Sequence, residues 1–304
     1  MPKLSWRAST RPRRSASPEL PLPGGRRFLP DGPEDRAVVW AVGDGADGEP
    51  EAAAVAERIA GDAPDLLIYL GDVYDRGSAE EYARNYEPSY GRLAAITAPV
   101  LGNHEWGRRR EGYGPYWTAV HGEAPPRFYS FSVAGWRILV LNSEEPCGPG
   151  SPQHEWLTGR LEPPEIPRIF CWHRPRFSAG RHGDQADLAP LWDAVRGRVA
   201  LVLNAHDHNL QRFHPIDGTT QLVVGAGGRS HYTLDRSWRR FLPRRYRRCH
   251  HDARLAFADD AEDGALRLEL TPGRIAFAFV SVDGRTLDDG EIEVDRAPSR
   301  SAVG

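Results

Sequence analysis

The sequence has few cysteines, a single lysine and no long apolar run, and each shortage excludes a class of protein. The three cysteines, Cys147, Cys171 and Cys249, include no closely spaced pair, which argues against a disulfide framework and against a cysteine metal site. No stretch approaches the roughly 18 apolar residues of a membrane span, so we expect no membrane-embedded part. Lys3 is the sole lysine, and the arginines cluster at the N-terminus and at 236–248.

The remaining composition is typical of a globular protein with one large domain. Of the 304 residues 40% are hydrophobic, and the net charge of -3 does not call for a nucleic-acid partner. Residues 1–35 are rich in Pro, Arg, Ser and Gly and predict a disordered tail, as do residues 297–304. The N-terminus has no apolar core of a signal peptide, which favours a cytoplasmic location unless the start is misassigned. We place the folded domain at 36–296.

Short apolar runs alternate with amphipathic segments from residue 37 onward. Strands are predicted at 38–42, 66–70, 98–101, 168–172 and 199–204, with helices at 50–61, 151–161 and 187–197. A helix beginning after Ser78 has Glu81 in the capping-box position, and we expect Pro88 to break it. A hairpin turns at Ala134 and Gly135, and the C-terminal segments alternate as antiparallel strands. Parallel and antiparallel elements together favour an α/β fold, a four-layer α/β/β/α sandwich with mixed sheets.

Polar residues follow the apolar runs at the positions where each predicted strand ends. In open α/β sheets this edge is where ligands bind, so five separate elements would deliver side chains to one crevice. Carboxylate, amide and imidazole ligands suit hard or borderline ions, and two ions about 3.5–4 Å apart are a common device for phosphoester hydrolysis. The candidate ligands are Asp44, Asp72, Asn103, His173, His206 and His208, with His104 beside them.

These motifs resemble those of the calcineurin-like metallophosphoesterase superfamily. They are GDG at 43–45, GDVYDRG at 71–77, GNHE at 102–105, CWH at 171–173 and AHDH at 205–208. Flanking stretches, such as SPQHEWL and VVGAGG, are similar to a bacterial branch related to purple acid phosphatases. The resemblance implies two divalent or mixed-valence ions, Fe, Mn or Zn. It implies that Asp72 bridges the two ions and that His104 is the general acid. The further ligands would be Asp44 and His208 for the first ion, and Asn103, His173 and His206 for the second.

The sequence departs from the family pattern at the first ion and before the paired histidines. The family has a His two residues after its first Asp, and this chain has Ala46 at that position. Purple acid phosphatases have a Tyr three residues after the bridging Asp, and this chain has Asp75 there. Tyr74 is one place early, and in an extended segment that shift reverses a side chain's direction. We therefore expect a weak or open first site, with Asp75, Tyr74 or water as the candidates for a further ligand, and no purple colour. Ala205 replaces a usual Gly.

Other residues are candidates for substrate binding. GDVYDRG also matches a motif of serine/threonine protein phosphatases, which makes Arg76 a candidate phosphate clamp. His182 is a candidate for lining the substrate cleft. The basic stretch 234–254 interleaves Arg with Trp238, Phe241 and Tyr246, and we favour a solvated insertion loop over a lid that grips nucleotides.

The hypothesis is metal-dependent hydrolysis of a phosphomonoester, with metal-bound hydroxide as nucleophile. The alternatives are a phosphodiesterase, a serine/threonine-phosphatase-like enzyme, and a catalytically impaired protein that binds phosphorylated ligands or polyanions. The expected partner is a phosphorylated small molecule, with a nucleotide left open and no nucleic acid. The sequence indicates no oligomeric state.

Overall fold

Two mixed β-sheets form the centre of the chain. A computed structural model describes residues 19–24, 28–162, 166–234 and 252–294. The first sheet has the strand order β13-β12-β11-β1-β2-β3, and the second has the order β10-β8-β9-β7-β6-β5-β4. The strands of the first sheet are β1 Ala37–Val42, β2 Leu66–Tyr69, β3 Thr97–Pro99, β11 Gly264–Thr271, β12 Arg274–Ser281 and β13 Thr286–Glu293. Those of the second are β4 Tyr129–Val133, β5 Trp136–Val140, β6 Arg168–Cys171, β7 Leu201–Asn204, β8 Leu210–Phe213, β9 Thr220–Val224 and β10 Leu255–Asp259.

Helices cover the outer face of each sheet. The α-helical segments are α1 Pro50–Gly61, α2 Ala79–Glu81, α3 Glu87–Ser89, α4 Asn103–Trp106, α5 Tyr113–His121, α6 Pro152–Thr158 and α7 Ala189–Val195. Within β1, Val39 packs between the two sheets, whereas Trp40 packs under the helices on the other face. Because both faces of such a strand are buried, its sequence is a continuous apolar run rather than an alternating one. The four-layer α/β/β/α sandwich is confirmed.

The parallel strands set the position of the site. In the first sheet β1, β2 and β3 run parallel, and in the second β5, β6, β7 and β9 do. Their carboxyl ends lie along one edge of each sheet, and the motif residues directly follow β1, β2, β6 and β7. No helix within the described residues is long and apolar enough to cross a membrane.

Several local predictions are confirmed in detail. Helix α1 has the predicted bounds, and both hydrogen bonds of the Ser78–Glu81 capping box form. Ala134 and Gly135 both have positive φ, 49° and 77°, as a tight two-residue hairpin turn requires. Strands β8 and β10 and helix α5 were not predicted. Helix α5 contains Gly and Pro in YGPYWTAVH, which mask its helical pattern.

Two expectations are wrong. Pro88 does not end its helix, because a π-helical turn at Tyr82–Tyr86 leads into α3, and a 3-10 turn at Tyr90–Ile96 continues from it. The disordered tail does not extend to residue 35, since Leu20, Phe28 and Leu29 are buried and the segment near them bonds to strand β4. Residues 1–18, 25–27, 297–304 and most of the basic loop lie outside the described residues.

Ala205, which follows β7, is accommodated by Gly43, which follows β1 in the other sheet. A Cβ at Gly43 would lie 2.5 Å from the Ala205 Cβ and 3.1 Å from that of Leu70. We expect Gly43→Ala to lower the free energy of unfolding by about 1–3 kcal/mol, because overpacking strains the core. Adding Ala205→Gly should recover part of the loss in urea unfolding. Gly61→Ala is the control, since nothing lies within 4 Å of a Cβ there; equal effects at both glycines would contradict this account.

Candidate metal centre

Three site residues leave their strands in the left-handed backbone region. Asp44 follows β1 with φ 59°, Asp72 follows β2 with φ 69°, and His206 follows β7 with φ 72°. A non-glycine residue adopts this conformation at a cost in free energy, and residues that do so are concentrated at functional sites. The sharp change of direction turns each side chain into the crevice between the two sheets, where a Cβ at Gly225 would lie 2.7 Å from Asp44 Oδ2. The glycine-rich segment after β9 therefore leaves room for Asp44.

Asp72 and two histidines form one compact group. One ligand atom from each of Asp72, His173 and His206 lies within 4.8 Å of the others. Asn103 joins them, because its Oδ1 is 3.1 Å from His173 Nε2. His173 is fully buried, and its Nδ1 donates to the Leu70 carbonyl at 2.8 Å, which turns Nε2 toward Asp72 Oδ2 at 3.3 Å. These four residues are those expected to hold the second ion.

Asp44, His208 and Tyr74 form an adjoining group. The Tyr74 hydroxyl donates to Asp44 Oδ1 at 2.8 Å and lies 3.0 Å from His208 Nε2 and 3.3 Å from Asp72 Oδ2. His208 Nδ1 donates to the Ser230 carbonyl at 2.9 Å, so its Nε2 faces the group. Tyr74 thus stands beside the two residues expected to hold the first ion.

The expectation that Tyr74 points away from the site is wrong. It assumed an extended segment after Asp72, in which side chains alternate in direction. Asp72 instead has positive φ, and the chain after it forms turns rather than a strand. The alternation therefore does not apply. Asp75, the alternative ligand, is exposed, and its carboxylate pairs with Arg229 at 3.1 Å.

His104 stands at the open side of the site. Its backbone N–H donates to Asp72 Oδ1 at 3.0 Å, and its ring Nδ1 lies 2.5 Å from the Asp75 carbonyl. With Nδ1 held by that carbonyl, Nε2 is the nitrogen free to face a ligand, 3.7 Å from Asp72 Oδ2. About a third of the side chain is exposed, at 32%, so a substrate can reach it.

Three carboxyl groups are buried together, and their pKa values diverge. Burial raises the pKa of Asp44 to about 8. Burial also raises the pKa of Glu105 well above its usual range, and the Asp72 charge adds to the effect. For Asp72 burial acts in the same direction, but the facing His173 outweighs it and lowers the pKa. The crevice therefore concentrates acidic groups that need cations or protons to balance them.

The histidine rings of the site have the protonation and hydrogen bonds that suit metal ligands. Burial lowers the pKa of His206 to about 2 and that of His208 to about 4, so both rings are neutral at neutral pH and offer lone pairs. Burial alone would lower the pKa of His173, but Asp72 raises it to about 10. A metal ion would take the place of that proton. A neutral ring whose other nitrogen donates to a carbonyl is the usual arrangement of a histidine ligand. The donor set fits hard or borderline ions.

The two predicted substrate residues differ in placement. The His182 ring centroid lies 4.1 Å from that of His206, and its role in binding substrate stays a prediction. Arg76 is exposed, and its backbone N–H bonds to Glu81. Among the residues that the structure describes, the Arg76 side chain forms no hydrogen bond or ion pair with a candidate metal ligand. Its role as a phosphate clamp stays a prediction.

Several residues of the site were missed by sequence reasoning. Tyr232 stacks on His208 with ring centroids 3.8 Å apart, and the guanidinium carbon of Arg181 lies 4.8 Å from the Tyr232 ring centroid. Arg229 lies 4.3 Å from the Tyr74 ring centroid. Glu105 accepts the Asp72 backbone N–H at 3.1 Å. Glu105 lies within the GNHE motif and could have been found there, whereas the other residues carry no motif signal.

Comparison with known proteins identifies relatives of the chain. A family model described as calcineurin-like phosphoesterase matches residues 37–210. Purple acid phosphatase 21 of Arabidopsis thaliana is 27% identical over 198 residues, which cover 54% of this chain and 44% of that protein. A probable cyclic nucleotide phosphodiesterase of Synechococcus is 29% identical over 174 residues, 52% of this chain and 64% of that protein. The chain thus matches about half the length of these curated relatives.

Solved structures show the same fold. A purple acid phosphatase from yellow lupin seeds, PPD1, superposes with a TM-score of 0.65 at 19% identity, covering 87% of this chain and 55% of that one. GAP50 of Plasmodium, the anchor in the inner membrane complex, gives 0.64 at 17% identity and covers 87% and 91%. At these identities the likeness concerns the fold alone.

Proposed function

Because this chain belongs to the calcineurin-like phosphoesterase family, we propose that it hydrolyses phosphomonoesters with a dinuclear metal centre. The observation that carries the proposal is the convergence of Asp72, His173 and His206 within 4.8 Å, with the Asp44–Tyr74–His208 group in contact with Asp72. The relatives named above include both a phosphatase and a probable phosphodiesterase, so the family supports phosphoester hydrolysis more broadly than either ester class.

In this proposal one ion is held by Asp44, Tyr74 and His208. The other ion is held by Asn103, His173 and His206, and Asp72 faces both ions. The ions would be Fe, Mn or Zn, since carboxylate and imidazole ligands suit them. When bound, such a pair neutralises phosphate charge and acidifies the attacking water. The chain's own contribution is to fix the ligand rings through the Leu70 and Ser230 carbonyls and to exclude water by burial.

The choice of a monoester rests on the charges around the crevice. The guanidinium of Arg181 lies beside the Tyr232 ring, and that of Arg229 lies beside the Tyr74 ring. Such cationic groups attract a monoester dianion more strongly than a diester monoanion. The binding-protein alternative depended on an incomplete first site, and the Tyr74 hydroxyl argues against it.

The direct test is hydrolysis by chelator-stripped protein after Mn, Fe, Zn, Mg or Ca is restored singly. We expect activity to return with Mn, Fe or Zn, with faster turnover of p-nitrophenyl phosphate than of bis(p-nitrophenyl) phosphate, and about two ions per chain by elemental analysis. Faster diester turnover would replace the monoester assignment with the phosphodiesterase alternative. Folded protein that stays inactive with every metal would overturn the enzyme proposal in favour of the phospho-ligand binder.

His104 is proposed as the general acid, and leaving-group dependence tests that role. General acid catalysis contributes about 10²–10⁴-fold, and its value grows with the basicity of the leaving group. His104→Gln should therefore lower kcat for an alkyl phosphate by about that factor and for p-nitrophenyl phosphate far less, because nitrophenolate leaves unprotonated. His154→Gln, on helix α6, is the control. Equal losses with both leaving groups would assign His104 a binding role instead.

A further inference from the structure

A second cleft lies between the N-terminal segment and the edge of the seven-stranded sheet. Its volume is about 230 Å³, and it is lined by Arg137, Arg160, Trp156, Ser130 and Ser132, together with apolar residues of both elements. We call it the Arg137–Arg160 cleft. No carboxylate of the described residues lines it. This composition makes the cleft rich in hydrogen-bond donors and poor in acceptors that carry charge.

The two guanidinium groups have no counter-charge among the residues that the structure describes. Neither Arg137 nor Arg160 forms an ion pair there, whereas Arg212 and Arg274 each pair with an acid. Within the described ranges Arg160 donates to the Trp156 carbonyl alone, at 3.3 Å, and its guanidinium carbon lies 4.1 Å from the Trp156 ring centroid. Both side chains line the cleft, so their positive charges face the same space, and burial together with the Arg137 charge lowers the pKa of Arg160.

The buried donor on the indole of Trp156 is also unsatisfied. Its Nε1–H is shielded from solvent and has no acceptor among the described residues. A buried polar group without a partner is costly and calls for an explanation such as an absent ion or water. Within the described residues, two guanidinium groups without an ion pair and one indole donor without an acceptor belong to residues that line the same cleft, and an anion that accepts hydrogen bonds would suit all three.

The cleft is separate from the metal centre. Arg137 is at the start of β5, where it pairs in register with Arg168 at the start of β6. His173 follows the other end of β6, and the two strands are parallel. The metal ligands and the two arginines therefore lie at opposite ends of these strands, and an anion in the cleft is not the substrate at the metal centre.

We propose that the Arg137–Arg160 cleft binds a small anion of the phosphate class. A guanidinium fork can present two N–H donors to two phosphate oxygens, and two guanidinium groups match a dianion. The Ser130 and Ser132 hydroxyls provide further donors on the same wall. The volume is below the roughly 300–1,000 Å³ of sites for larger ligands, which fits free phosphate or a single phosphate group rather than a whole nucleotide. The source is either orthophosphate or the phosphate group of a small ester.

Equilibrium dialysis with radiolabelled orthophosphate tests the proposal on both metal-loaded and chelator-stripped protein. Stripping removes phosphate bound at the metal centre but leaves the cleft, so we expect one phosphate per stripped wild-type chain. The double variant R137Q/R160Q should bind it at least about tenfold more weakly, because hydrogen bonds to a charged group are lost. In metal-loaded protein the same variant should bind one phosphate fewer than wild type. Its kcat and KM for p-nitrophenyl phosphate should be unchanged.

Matched controls separate specific binding from folding and from general charge. R92Q removes an exposed arginine elsewhere and should leave phosphate binding unchanged, and thermal unfolding shows whether each variant is folded. Competition by phenyl phosphate in stripped protein would identify an ester-accepting site, while no competition would identify a site for free phosphate. The proposal would be overturned if stripped wild-type protein binds no phosphate at millimolar concentration. It would also be overturned if folded R137Q/R160Q binds phosphate as tightly as wild type does. Neither result bears on hydrolysis at the metal centre.

Discussion

Asp72→Asn is expected to lower kcat/KM for p-nitrophenyl phosphate by more than about a hundredfold. Removing even an outer-shell partner of a metal ligand costs about 10–100-fold, and Asp72 faces both ligand groups directly. The amide still accepts the His104 backbone N–H through its oxygen, so the loop can keep its conformation. It loses the negative charge that faces His173 at 3.3 Å and would neutralise the cations.

The measurement is steady-state kinetics together with elemental analysis of the purified variant. We expect fewer than two ions per chain along with the loss of activity. Asp193→Asn is the matched control, because its carboxylate is 62% exposed on a surface helix and should leave both quantities unchanged. A folded Asp72→Asn protein with full metal content and near-wild-type kcat/KM would exclude Asp72 as the shared ligand.

Tyr74→Phe is expected to remove a visible absorption band from iron-loaded protein and to lower kcat/KM about 10–100-fold. Burial, together with the Asp44 and Asp72 charges, holds the pKa of Tyr74 well above its usual range, so its phenol is protonated while no cation is bound. A ferric ion beside Asp44 and His208 would displace that proton and give tyrosinate-to-iron absorption. This expectation reverses the colourless protein that the sequence predicted.

Absorption spectra of iron-loaded wild type, Tyr74→Phe and Tyr113→Phe would test the assignment. Tyr113 is a buried tyrosine whose hydroxyl donates to the Pro99 carbonyl at 3.0 Å, apart from the metal ligands, so this variant should keep the band. If iron-loaded wild type is colourless, or if the band survives Tyr74→Phe, Tyr74 is not a ligand. In that case its hydroxyl serves only to orient Asp44 and His208.

The family relationship and the site geometry support the proposed activity in different ways. The family match covers residues 37–210 and reaches from β1 to the start of β8, which includes every motif. It does not distinguish monoesters from diesters. We expect that choice to depend on residues such as Arg181, Arg229 and Tyr232, which lie beside site residues in this chain and partly beyond the matched range.

The sequence by itself determined most of the strands, though not β8 and β10, together with the layered fold and the order of the polar residues at the strand ends. These features depend on local periodicity and on the rule that parallel strands end at one edge, so no long-range contact is needed to predict them. The capping box at Ser78 and the hairpin at Ala134 were predictable for the same reason, since each is decided within about four residues.

Only the tertiary structure decided where Tyr74 and the N-terminal segment lie, and that Glu105 binds the Asp72 backbone. Tyr74 enters the site because Asp72 adopts a left-handed conformation. The Asp72 backbone N–H donates to the Glu105 carboxylate, and the Asp72 carboxylate accepts the His104 backbone N–H. Those partners lie more than 30 positions away in the sequence. The burial of Phe28 likewise depends on packing against Tyr129, with ring centroids 5.0 Å apart. Contacts between distant segments set these conformations, and local pattern carries no information about them.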